Sequence, residues 1–502
     1  MLIVGGGSGG CVVAGRLAAE TDARVILVEA GPDYGSRASG RWPADLLDGG
    51  ALVTSHEWGY DSGPLAGREP IAFQRARVIG GCSSHNGCVV AVGCPEDYDR
   101  WATLTGDDRW SSASVRPALA RALERMRVRT YAEDEVGPFH RACLDAAAAL
   151  GLSRADDLDD LDGGVGFGIE PVNIEAGVRF NASFAYVDPA RGCANLTILD
   201  RAICDRLAVT ASGVEVTMRR DGAEVLIEAG SVVLSAGAYG TPAILQRSGV
   251  GDATLLRAAG IEPLVDLPGV GRNLHDHPLA EVEFAGSEQL KHLLAESAAV
   301  RFTPEEQTLG KLRSSRASGP YDLHVFPVAA HEHSLLAGRV TLAVSAMEPL
   351  SRGSLHVTGS DPEAVPRIDH AYLTDPGAAP LIDHGYLSDP DGVDLAVLAE
   401  RIESAREPAA TEPLRELIGA EITPSLDRPI GQYHAHYYHP VGTCAMLTAT
   451  DPRAVCDGAC RVRGLEGVLV ADCSLMPVAP RANTNLPAVL VGERIADALL
   501  QS

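Results

Sequence analysis

The chain opens Met1-Leu-Ile-Val4-Gly5-Gly6-Gly7-Ser8-Gly9-Gly10, and no other stretch restricts the fold as strongly. A short apolar run enters Gly5-x-Gly7-x-x-Gly10. Cys11 to Glu20 suits a helix, and Arg24 to Val28 forms a second apolar run closed by Glu29. Strand, tight turn, helix, strand and acid in this order make a unit that can seat an adenine dinucleotide. The glycines let the backbone turn sharply and lie against a pyrophosphate. The helix N-terminus meets its charge, and the acid takes the ribose hydroxyls. A tight turn in some other doubly wound sheet would leave a similar trace. The strand before Gly5 is either short or begins upstream of Met1.

With 502 residues, 46% of them hydrophobic, the chain can bury more than one core, so two interleaved domains are expected. No run approaches the roughly 18 apolar residues of a membrane span. The amino end has neither a basic leader nor a cleavage site, so a soluble, cytoplasmic enzyme is the expectation. The formal net charge of −25 argues against nucleic acid or an anionic membrane as a partner. It reads first as a solvated acidic surface and second as a field favouring a cationic substrate. Eleven cysteines are scattered along the chain. Neither Cys82, Cys88 and Cys94 nor Cys456 and Cys460 have the spacing of a zinc site, so reduced, mostly buried thiols and no metal are expected.

From Ala30 to Pro70 the sequence reads as a long covering excursion. Gly80, Gly81, Cys82, Ser83, Ser84, His85 and Asn86 then crowd one turn, which permits close approach to a bound group. Pro95 to about Arg129 reads as a charged helical stretch with a solvated face. Asn195 to Val216 resembles a hairpin turning at Ala211-Ser212-Gly213, and Ser231 to Gly237 reads as a buried strand. Gly240-Thr-Pro242 would open a helix, with proline in its first turn. Residues 280–345 are weakly patterned and would hold most of a second domain. A tandem repeat at 368–376 and 382–390 reads as a duplicated surface loop. The tail is dense again, with His434, His436, His439-Pro440, Asp472, and Asn483-Thr484-Asn485 leading into a helix through Pro487. His434 and His436 would face away from His439, as packing or channel residues.

Taken in order, these motifs run nearly end to end and resemble the glucose–methanol–choline (GMC) oxidoreductases, flavin enzymes acting on alcohols. The resemblance is carried by Gly5-x-Gly7-x-x-Gly10 with Glu29, Arg77 to Asn86, Gly237 to Gly251, Gly269 to Pro278, His439 to Thr443, and Asp472 to Glu493. It implies an α/β fold, with a Rossmann-like FAD-binding domain interleaved with an α+β substrate domain built on an antiparallel sheet. The FAD-binding domain would comprise 1–150, 191–279 and 433–502, and the substrate domain 151–190 and 280–432.

The resemblance further implies that His439 is the catalytic base and Asn483 its amide partner. A neutral imidazole can accept the proton of an alcohol while hydride leaves for the flavin. Gly5, Gly7, Gly10, Glu29, Gly80, Gly81, His85, Asn86, Cys204, Asp472 and Thr484 would contact FAD. Choline-oxidising members carry the same seven residues as Gly80 to Asn86, with the histidine bonded to the flavin, so a covalent link through His85 is expected. Of those members' aromatic cage only Trp42 is matched, which leaves the alcohol open. Oxygen or another acceptor would take the electrons. The alternatives are an FAD-containing hydroxynitrile lyase without redox turnover, a nonenzymatic binding protein and a nicotinamide-dependent dehydrogenase.

Overall fold

The structure, a computed structural model, describes residues 1–62, 70–329, 338–369, 393–423 and 434–501. One half is built on a five-stranded parallel sheet in the order Val468–Val470, Val232–Leu234, Leu2–Val4, Val25–Val28, Leu196–Leu199. The three central strands are buried throughout, which is why each reads as an unbroken apolar run. The first helix, Ser8–Glu20, and the last, Asn485–Leu500, pack against each other beside this sheet. Their approach needs Gly492: a Cβ there would lie 2.8 Å from the Gly9 carbonyl oxygen and from Val12 Cβ. Arg16, nearly buried, pins the pair by donating to Glu493 at 2.7 Å and Asp497 at 2.6 Å.

The second half is a seven-stranded antiparallel sheet. Its main path runs Ile418–Thr423, Pro278–Gly286, Arg339–Ala346, Leu323–Ala329, Thr308–Leu312, Gly166–Ile169, and His434–His436 also pairs with Pro278–Gly286. The expected α/β fold with an antiparallel second sheet is therefore present. Four of these strands lie in or at the edge of the weakly patterned stretch 280–345. Strands such as Leu323–Ala329 are buried along nearly their whole length, so no alternation of polar and apolar residues marks them. The helix Pro138–Ala149 contributes Phe139, Ala142 and Ala146 to this second core, whereas Phe184 and Val187 pack into the first.

Three local expectations are corrected. Leu196–Leu199 is an edge strand of the parallel sheet, and Arg201, at φ 50°, turns the chain away from it. The hairpin is instead Ala202–Val209 with Val214–Arg220. The helix expected from Gly240 starts at Gly237, which puts Pro242 in its interior. The Ala238 carbonyl, which residue 242 cannot bond without an N–H, accepts the Thr443 hydroxyl at 2.6 Å. The stretch from Pro95 is not continuous but divides into Pro95–Thr105 and Ser112–Arg125, the first carrying Tyr98 and Trp101 on its buried face.

All eleven cysteines are unpaired, and eight are buried. No helix among the described residues is long and apolar enough to cross a membrane. The tandem repeat lies, apart from Ile368 and Asp369, outside the described residues.

Candidate active site

The two glycine-rich turns lie back to back. Gly80 N–H donates to the Gly6 carbonyl at 2.7 Å, and a Cβ on Gly81 would come within 2.7 Å of Gly7 Cα. Gly5, at φ 101°, faces Ser235, and a Cβ on Gly10 would strike the Gly5 carbonyl oxygen at 1.9 Å. Ser8 and Asn485 join the starts of the first and last helices through an Oγ to Oδ1 bond of 2.7 Å. Neither helix has a side-chain cap or an acid in its first turn. Two positive helix ends thus stand side by side, a natural seat for negative charge.

Glu29 is buried at the end of its strand. Its Oε2 accepts Gly6 N–H at 2.8 Å and its Oε1 accepts Gly31 N–H at 2.7 Å. Burial pushes its pKa up while these amides oppose the shift. Each oxygen keeps a second lone pair for a hydroxyl. The joined helix ends and this carboxylate fit the adenosine pyrophosphate half of FAD.

The remaining residues expected around FAD surround the same turns. Cys204 lies on the strand Ala202–Val209, whose Ala202 N–H donates to the Glu29 carbonyl at 2.9 Å. Burial lifts the Cys204 thiol to about 12. Asp472 engages both oxygens, accepting Gly237 N–H and the Thr241 hydroxyl on Oδ2 and Ser474 N–H on Oδ1. Thr484 immediately precedes the last helix. Asn86 Oδ1 accepts Cys88 N–H at 3.2 Å. His85 is buried, its Nε2 is 2.7 Å from the Ser55 carbonyl oxygen, and burial lowers its pKa to about 4. Trp42 stands apart: it packs on Phe184 in the first core, with Nε1 donating to the Gly35 carbonyl.

His439 follows the strand His434–His436 and is held by its own N–H, which donates to Asp276 Oδ1 at 2.9 Å. Its Nδ1 is 3.0 Å from Nδ1 of His277, and the rings cross at 88°. Burial, with His277, His324 and Arg75 nearby, holds the His439 pKa well below the ordinary histidine value, so the ring is neutral. Tyr437 packs 4.3 Å from the His439 ring and stacks on Phe326. Asn483 Nδ2 donates to the Tyr437 hydroxyl at 3.5 Å, and its buried Oδ1 has no hydrogen-bond partner. Tyr437 therefore bridges His439 and Asn483. His436 turns elsewhere, its Nε2 2.8 Å from the Ala72 carbonyl oxygen.

The loop that carries Asn483 is anchored from outside. Arg481 donates to Asp97 through its N–H at 3.0 Å and Nη1 at 2.6 Å, and it pairs with Glu348. Trp101 Nε1 donates to the Val478 carbonyl, and the Tyr321 hydroxyl to that of Arg481. His277, Tyr437 and Asp97 were not singled out from sequence. The dense motif Asn273-Leu-His-Asp-His277-Pro was the signal for His277, and the run from His434 to His439 for Tyr437; nothing local marks Asp97.

Residues 1–279 and 349–492 match the GMC oxidoreductase family. Choline oxidase of Arthrobacter globiformis is 32% identical, with 99% of this chain and 93% of that protein aligned. An oxygen-dependent choline dehydrogenase of Photobacterium profundum is 30% identical, over 99% and 92%. Among solved structures, pyridoxine 4-oxidase from Mesorbium loti superposes with a TM-score of 0.83 at 27% identity, covering 100% of this chain and 99% of that one. The chain belongs to the GMC oxidoreductase family and is an FAD-dependent oxidoreductase of alcohols.

Proposed function

We propose that His439 is the base that takes the hydroxyl proton of a small alcohol and that Asn483 holds the alcohol oxygen beside it. FAD, when bound, supplies the hydride acceptor. The observation that carries the reading is the neutral, buried His439, joined through Nδ1 to His277 and linked by Tyr437 to Asn483. In this reading His439 keeps its proton on Nδ1, donates it to His277, and has its Nε2 lone pair for the alcohol. Gly5, Gly7, Gly10, Glu29, Gly80, Gly81, Asn86, Cys204, Asp472 and Thr484 hold FAD. The uncapped last helix places positive potential next to Asn483.

The finer assignments are part of the same proposal. His85 tethers FAD covalently, helped by a neutral ring with a free lone pair. Oxygen or another small acceptor takes the electrons. The unpaired cysteines suit the reducing cytoplasm.

Mixing the FAD-loaded protein with a panel of alcohols under nitrogen tests the function, because the visible flavin band bleaches when an alcohol is oxidised. If none bleaches it while FAD stays bound, the redox reading fails and the lyase alternative gains. Acid precipitation tests the tether: a yellow pellet is expected, and a colourless pellet under a yellow supernatant would refute it.

A further inference from the structure

A second cluster of buried polar groups lies close to this site and is unused by the chemistry above. Glu170 follows the strand Gly166–Ile169, and Glu305 and Glu306 precede Thr308–Leu312. Ile169 pairs with Thr308, and Glu170 N–H donates to the Gln307 carbonyl, so the three acids gather at one end of the sheet. Glu170 is 1% exposed, and neither carboxylate oxygen has a hydrogen-bond partner. Oε1 of Glu305 is likewise buried and unpartnered. The Tyr131 hydroxyl, on a residue 3% exposed, also has no partner. The arginines nearby spend their N–H groups on other partners: Arg129 on Glu135, with its guanidinium 5.2 Å from the Tyr131 ring centroid, and Arg179 on the carbonyls of Leu46, Asp48 and Ala51.

Glu305, Glu306 and Tyr131 line a recess with Gly49, Leu52 and Gly87, with room for about one water-sized group. Glu170 is not part of its lining but lies near enough to Glu306 for the two to repel. A Cβ on Gly87, two residues past His85, would lie 3.8 Å from Glu306 Oε1. On the other side, Glu306 and Glu170 act electrostatically on the Tyr437 phenol, whose ring packs on His439. Burial, with repulsion from Glu305, raises Glu306 to about 8, and burial with repulsion from Glu306 raises Glu170 well above its ordinary value. Such carboxyls keep their protons near neutral pH until a cation faces them, and among the described residues none pairs with them.

We infer that this recess is the cation subsite of the substrate, and that it takes an alcohol bearing a protonated primary or secondary amine rather than a quaternary ammonium. The inference rests on the proposed alcohol oxidation and names its substrate class. An ammonium with N–H bonds supplies both donors and charge and is about the size of the recess. A trimethylammonium supplies no donor and is bulkier. It is also held best by several aromatic faces, and Tyr131 is the one aromatic side chain lining this recess.

Calorimetric titration of the FAD-loaded protein with two unreactive probes, propylamine and propyltrimethylammonium, tests this without turnover. Propylamine is expected to bind about tenfold tighter or more, the worth of one charge-assisted hydrogen bond. Glu305→Gln and Glu306→Gln are expected to abolish the preference, and Tyr131→Phe to reduce it. Equal binding of the probes, a preference for the quaternary one, no binding of either, or glutamine variants that keep the preference would each overturn the inference. Should a glutamine variant fail to fold, the comparison on the unaltered protein still decides. Bleaching of the flavin by neutral alcohols, with no amine preference, would overturn this inference and leave the oxidase reading intact.

Discussion

His439 and His277 meet edge to face, their Nδ1 atoms 3.0 Å apart, although 162 residues separate them in the chain. One ring must donate and the other accept, so each fixes the tautomer of the other. Burial lowers His277 to about 3, which keeps it neutral and able to accept. His277→Leu removes the acceptor and leaves a buried N–H unsatisfied, a cost of about 1–3 kcal/mol. We expect kcat to fall about tenfold to a hundredfold, with bound FAD unchanged. Steady-state kinetics at matched flavin content checks this, and an unchanged kcat would show that the pair has no orienting role.

His439→Ala should remove general-base catalysis, lowering kcat/KM by about 10²- to 10⁴-fold. Since no contact to the glycine-rich turns is lost, the flavin-to-protein ratio should stay the same. Undiminished turnover would exclude His439 as the base.

Asp97→Asn weakens three bonds to one carboxylate, from Cys94 N–H, Arg481 N–H and Arg481 Nη1. It also leaves the buried Arg481 short of charge. Breaking such a pair costs about 3–5 kcal/mol. The thermal midpoint should drop by several degrees and kcat should fall, because Asn483 is two residues from Arg481. If the midpoint drops with kcat intact, the anchor serves stability alone.

Thr443→Val frees the Ala238 carbonyl left unpaired by Pro242, and should cost about 1–3 kcal/mol in chemical denaturation. Restoring the helical N–H with Pro242→Ala in the same chain should recover part of that loss, and failure to do so would reject the account given for this helix.

His436 has a definite pH signature. Burial lowers its pKa from 6.5 to about 3. Between those values the unfolded chain binds a proton that the folded chain refuses, so this group lowers stability as pH falls and is neutral in effect above about 6.5. Relative to the unaltered protein, His436→Phe should therefore be more stable at about pH 4.5 than at about pH 7.5. Thermal midpoints of both proteins at the two pH values decide it. A pH-independent difference would show that His436 titrates normally.

Much of this was legible in the sequence where the backbone itself does the chemistry. Gly5, Gly7, Gly10 and Glu29 announce the opening unit because steric demand and a fixed spacing leave few alternatives. The motifs flanking His439 and Asn483 were readable too, and the structure brings both residues against Tyr437. The strands between 278 and 346 were not, because burial on both faces erases the period-two pattern. The Leu196–Leu199 strand was misassigned because its partner, Val25–Val28, lies 171 positions away and leaves no local mark. The same distance effect hid Asp97 and Glu170, each ordinary in its own neighbourhood.

The joined starts of the first and last helices have a consequence for folding. The central strand Leu2–Val4 and the edge strand Val468–Val470 lie 464 or more positions apart in the chain, and the shared positive end needs one helix from each region. Neither region forms that end alone. Closing so long a loop is among the slower steps open to a chain, so the seat for negative charge belongs to the late stages of folding.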